Sequence, residues 1–237
     1  MKKSFLMVNA IMLMLILIFD VWYMFGGGLF AKSIASILFV GTGGINLNYC
    51  IKNEVSLRFP MGLFIALIFA MLGDILLVIN FYLGTAIFAV GHIFYFVAYC
   101  ILKKINTKDL ICGGIISVFS LSVILFTSFL DFGNGLMKGI CCVYAIIISF
   151  MVGKAISNLL RDRNITNLAI VIGSILFFIS DFMLMLNKFG NIPGTNYMCL
   201  ATYYIGQFVL ALSIFVFACT NYYKESIKSI IFRSLLS

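Results

Sequence analysis

The chain has 237 residues, of which 63% are apolar and 10% charged, with a formal net charge of +8 and a mean hydropathy of +1.16. Soluble domains carry about 25% charged and about 45–50% apolar residues, so this composition excludes soluble enzyme folds and disordered chains. It predicts an all-α, polytopic membrane bundle. The basic residues lie between long apolar runs, where they set topology rather than bind nucleic acid.

A spanning helix needs about 20 apolar residues. Eight segments qualify: 4–25, 29–49, 60–80, 83–102, 110–130, 136–158, 165–187 and 198–220. Lys2 and Lys3 precede the first. Its core is long and no clean small-x-small cleavage site follows, so it is expected to be a retained helix rather than a signal peptide. Gly26, Gly27 and Gly28 make the first turn, and Lys52 to Pro60 the second connection. Asn80 to Gly84 is a tight turn, and Lys103 to Asp109 a polar loop. Asp131 to Lys138, Arg161 to Asn164 and Lys188 to Asn196 supply the remaining breaks.

Sorted by side, 13 of the 16 Lys and Arg fall with the two ends of the chain and only Lys32, Lys138 and Lys188 fall opposite. The positive-inside rule then places both termini in the cytoplasm of a multi-pass cell-membrane protein. Residues 1–222 are expected to form one transmembrane domain. The basic, mildly amphipathic tail 223–237 is expected to lie along the cytoplasmic lipid surface.

The seven cysteines form no CxxC pair and sit mostly in apolar runs, as small hydrophobes do. His92 is the single histidine, which disfavours a catalytic zinc centre. No metal is expected.

An acidic residue inside a span costs about 2.5–3.5 kcal/mol on insertion scales and marks function by default. Asp74 and Asp181 lie well within spans. At 1.5 Å per residue they stand roughly 21 Å and roughly 24 Å from the cytoplasmic edge. His92 enters from the opposite side and sits roughly 13 Å deep, with Gln207 at a similar depth and Lys32 beginning its span there. Five polar groups on five segments thus converge on one layer near the outer face. Stripes at helical spacing carry Gly73 with Asp74, His92 with Tyr95, Ser180 with Asp181, and Tyr204 with Gln207. The pattern predicts a polar pocket inside the bundle. Gly73-Asp74-Ile75-Leu76-Leu77 and Ser180-Asp181-Phe182-Met183-Leu184 each lie in the third span of a four-span half. Such halves would be parallel repeats that set the two acids face to face.

The runs GDILL (73–77), GHIFY (91–95), SDFML (180–184) and YYIGQ (203–207), with Lys32 at the start of the second span, resemble the YhhN-like lysoplasmalogenase family over nearly the whole chain. Ser33 follows Lys32 where the family pattern leads one to expect proline. The resemblance implies an integral-membrane hydrolase that cleaves the vinyl ether bond of a lysophospholipid substrate, releasing a fatty aldehyde and a glycerophospho-alcohol. It implies that Asp74 and Asp181 are the catalytic acids.

The residues suit that chemistry. Vinyl ether hydrolysis needs a proton for the β-carbon, a negative charge beside the oxocarbenium ion and a positioned water. Two carboxyls in different environments supply these without a cofactor. His92, Lys32, Tyr95, Tyr204, Gln207 and Ser180 are the expected binding or orienting residues. Each also has a plainer reading: a satisfied core histidine, a snorkelling lysine, or interhelical glue. Asp20 and Asp131 are expected to be solvated near the outer boundary. The competing function is a proton-coupled small-molecule transporter using the same acid pair.

Overall fold

The computed structural model describes residues 2–235, and their side chains from residue 3 to residue 221. Among the described residues there are helices and turns and no strand. Helix α1 (Lys2–Trp22) and helix α2 (Gly28–Lys52) meet at a kinked segment, Tyr23–Gly27. Gly26 has φ +108° and Gly28 φ +56°, the left-handed region that a residue without Cβ adopts freely. The chain therefore breaks where the glycines stand, and α1 packs against α2.

Asparagines open the next helices. Between helix α3 (Arg58–Ile79) and helix α4 (Phe81–Leu102) only Asn80 is non-helical, and its side chain accepts from the Leu83 N–H at 3.1 Å. Helix α5 (Thr107–Phe126) begins with a reciprocal cap between Asn106 and Asp109. Asn134 caps helix α6 (Gly135–Arg161) through the Met137 N–H, and Asn164 caps helix α7 (Ile165–Gly190) through the Asn167 N–H, both at 2.8 Å. Such caps contribute about 1 kcal/mol each by satisfying an orphan donor. Helix α8 is Thr195–Leu235.

Among the described residues, seven helical stretches are long and apolar enough to cross a membrane, and the first, Lys3–Lys52, takes in both α1 and α2. This is a multi-pass membrane protein. The helix ends differ from the expected ones by a few residues, except that α8 continues as helix to Leu235, past the expected end at 220. Helix α3 starts at Arg58 rather than 60, because Pro60 fits the first turn, where no intrahelical N–H is needed. Side chains of the expected tail, 223–237, lie outside the described residues.

The closest neighbours are α3 with α4, α5 with α6 and α7 with α8; α8 also packs on α2, and α4 on α6. Small residues set the approach. A Cβ on Gly153 would stand 2.5 Å from Gly113 Cα, and one on Gly206 would stand 3.2 Å from Gly173 O. Close backbones of this kind hold membrane helices together by van der Waals contact. Asn9 and Asn46 exchange two side-chain hydrogen bonds of 2.9 Å, and Asn46 also donates to Ala211 O at 3.0 Å. That clamp ties α1, α2 and α8 together. Phe39, Leu63, Tyr95, Phe177 and Ile214 are buried at the centre, whereas Phe25, Ile115 and Phe126 face outward.

Candidate functional site

Lys32 lies one turn inside α2, just past the kink, and Asp74 lies near the far end of α3. Lys32 Nζ stands 2.9 Å from Asp74 Oδ1, and both residues are buried. Ser36, one turn beyond Lys32, donates to Asp74 Oδ2 at 2.6 Å. Tyr204 of α8 donates to the same oxygen at 3.0 Å. Both oxygens of Asp74 are therefore engaged, one by a cation. A buried ion pair is held only when such extra hydrogen bonds fill its remaining capacity. Gly73 matters locally: a Cβ there would stand 2.8 Å from the Phe88 ring, so its absence lets α4 close over Asp74.

Asp181 of α7 has different company. Tyr144 of α6 donates to Asp181 Oδ2 at 2.5 Å, and His92 Nε2 stands 3.2 Å from the same oxygen. His92 Nε2 is also 2.7 Å from the Tyr144 hydroxyl. The His92 ring is fully buried against Phe177, with ring centroids 4.6 Å apart, and its Nδ1 has no hydrogen-bond partner among the described residues. Both contacts of Asp181 fall on Oδ2, and its side chain keeps 11% exposure.

One cavity of about 80 Å³ is lined by both acids, with Lys32, Ser180, Asn196 and Cys199. A second, of about 70 Å³, is walled by Phe81, Phe88, Ile148, Phe178 and Met185, and reaches Asp181 and Tyr144. Leu77, Phe88, Asp181 and Leu184 belong to both. Asp181 thus stands at the junction of a polar chamber and an apolar one.

Of the residues singled out in sequence, the structure brings together Lys32, Asp74 and Tyr204, and separately His92 and Asp181. Ser180 lines the shared cavity and lies 3.5 Å from Cys199 Sγ. Tyr95 and Gln207 pair with each other at 2.8 Å, one turn further along α4. They leave Gln207 Nε2 without a partner among the described residues. Asp131 is exposed, as expected. Asp20 is not solvated: it is 2% exposed, because α1 ends beneath the kink and α2 folds back over it. It interacts electrostatically with both Asp74 and Lys32. Ser36 and Tyr144 escaped the sequence reading, since a hydroxyl in an apolar span carries little signal. Depth alone reveals Tyr144: it lies nine residues past Gly135, and Asp181 nine before Gly190, each roughly 14 Å from its helix end.

Among the described residues, no group of three or more His, Cys, Asp or Glu is placed to hold a metal ion. Cys50, Cys100, Cys112, Cys141, Cys142 and Cys199 are free.

The chain is 30% identical over 159 residues to a human protein named lysoplasmalogenase TMEM86A, and 29% identical over 159 residues to the Bos taurus protein of that name. Each match covers 64% of this chain and 64% of the relative, so it spans less than two thirds of those proteins' length. No solved structure matches. The YhhN family model matches residues 5–214, and with that match the chain belongs to the YhhN family.

Proposed function

We propose that this chain is a membrane hydrolase that cleaves the vinyl ether bond of a lysoplasmalogen-type lysophospholipid. The reading includes eight crossings, with α1 and α2 crossing separately and both ends of the chain in the cytoplasm, and acid/base chemistry by Asp74 and Asp181. The observation that carries it is the unlike company of two carboxyls that line one cavity.

The hydrocarbon chain of the substrate lies in the apolar chamber, and the glycerophosphate end lies toward Lys32 and Asn196. Asp181 delivers a proton to the β-carbon of the vinyl ether, forming an oxocarbenium ion. Asp74, locked by Lys32, Ser36 and Tyr204, places a fixed negative charge beside that ion and orients a water. A preorganised charge of this kind stabilises the transition state without reorganising. The water attacks the carbon attached to oxygen, and its proton returns to the carboxylate system. The hemiacetal collapses to aldehyde and alcohol, so one water is consumed and the acid is regenerated. The names of the relatives support this class of reaction.

Purified protein in detergent, given a 1-alkenyl lysophospholipid, is expected to release aldehyde and to leave an ester lysolipid intact. Asp74→Asn and Asp181→Asn are each expected to lower the rate by at least about 100-fold, the lower end for loss of a general acid or base. Parent-like activity in both variants contradicts the acid pair. Substrate uptake into vesicles without aldehyde favours the transporter reading.

A further inference from the structure

Three hydrogen-bonding groups from α4, α6 and α7 meet within 3.2 Å at Asp181 Oδ2. Their roles follow from burial. His92 is fully enclosed and its Nδ1 has no partner, so a hydrogen on Nδ1 would be an orphaned buried donor. The neutral ring therefore carries its hydrogen on Nε2. That N–H is directed at the Tyr144 oxygen 2.7 Å away in preference to Asp181 Oδ2 at 3.2 Å, and the Tyr144 hydroxyl at Asp181 Oδ2 at 2.5 Å. A hydroxyl that accepts a hydrogen bond becomes a better donor, so the two bonds strengthen each other in series. With Oδ2 occupied as an acceptor, Oδ1 is the oxygen left to carry a hydrogen. Tyr144 and Asp181 wall the same apolar chamber.

We propose that His92 and Tyr144 are positioning residues that act in series, gripping Asp181 by Oδ2 so that Oδ1 presents its proton to the β-carbon in the chamber. This rests on the hydrolase reading above. Neither residue exchanges a proton with the substrate; they fix where the proton stands, and they receive the negative charge that appears on Asp181 once it has left.

The test is steady-state aldehyde release from purified Tyr144→Phe, His92→Gln, His92→Asn and the double variant Tyr144→Phe/His92→Asn, with thermal melts beside them. A misplacement of about 1 Å costs on the order of 100-fold in rate, so Tyr144→Phe is expected to lower kcat by about that factor. Its KM is expected to stay within about threefold, since ground-state binding is untouched. Glutamine sets its amide nitrogen where Nε2 stands, and asparagine does not reach. His92→Gln is thus expected to stay within about tenfold of the parent, with His92→Asn falling toward Tyr144→Phe. Because His92 works through Tyr144, the double variant should be no slower than Tyr144→Phe alone.

An unchanged kcat in Tyr144→Phe, equal losses in the two His92 variants, or multiplying losses in the double variant each overturn the inference while leaving the hydrolase reading standing. If Tyr144→Phe does not fold, the contrast between His92→Gln and His92→Asn decides alone. No aldehyde from folded parent protein overturns both.

Discussion

Asp74 and Asp181 are the same residue type at similar depth, and their neighbours set them apart. Lys32 is the only cation in contact with Asp74 among the described residues. Lys32→Met leaves a buried carboxylate without its counter-charge, which is expected to cost about 3–5 kcal/mol of stability. A melt of that variant in detergent checks this, and adding Asp74→Leu should recover most of the loss while activity stays absent. Asp20 makes the opposite case. It is buried, its Oδ1 has no partner among the described residues, and the nearby Lys32 is paired with Asp74 instead. Asp20→Asn is expected to melt no lower than the parent, because it removes a poorly compensated charge. A clear loss of stability would contradict that account. The acids, His92 and Lys32 were legible in the sequence because ionisable groups are costly in an apolar run. Ser36 and Tyr144 were not, because a hydroxyl can satisfy itself on its own helix and needs no special reason to be there. The Tyr95–Gln207 pair shows the converse: two polar residues at the right depth that hydrogen-bond each other and line neither chamber.

Two of the glycines of helix α6 have opposite surroundings. A Cβ on Gly153 would press into the backbone of Gly113 on α5, whereas one on Gly139 would meet nothing within 4 Å. Gly153→Ala is expected to cost about 1–3 kcal/mol by forcing the pair apart. Gly139→Ala is expected to stabilise by up to about 1 kcal/mol through helix propensity. Melts of the two variants read the difference directly. The helix breaks were legible because they rest on local chemistry: glycines with positive φ at Gly26 and Gly28, and asparagine caps at Asn80, Asn106, Asn134 and Asn164. Which helices approach most closely was not legible. That depends on where glycines of two separate helices coincide, and a single apolar sequence does not state its partners.

Across the described residues the buried Asp and Lys gather at two ends. Opposite the candidate site, Lys154 is fully buried, 2.7 Å from Asp109 Oδ2, and also donates to Lys104 O at 3.2 Å. Arg161 donates to the same carbonyl at 2.9 Å. In the sequence Lys154 is simply one more positive charge on the cytoplasmic side; in the folded chain it joins α6 to the connection before α5. Lys154→Met is expected to cost about 3–5 kcal/mol, with Asp109→Asn in the same chain returning part of it while keeping the cap on α5. Topology has its own readout. Lysine-reactive reagent that cannot cross the membrane is expected to reach Lys138 from outside, and Lys103 only from the cytoplasmic side. Reversal of that pattern contradicts the orientation.

The central claim is that Asp181 protonates the β-carbon of a vinyl ether. The most direct measurement is the reaction of purified protein with 1-alkenyl lysophospholipid in deuterated water, trapping the aldehyde at once and weighing it. The account predicts an aldehyde carrying one deuterium on the carbon next to the carbonyl, formed by the parent and not by Asp181→Asn. Aldehyde without deuterium at that carbon, or equal labelled aldehyde from Asp181→Asn, would contradict it.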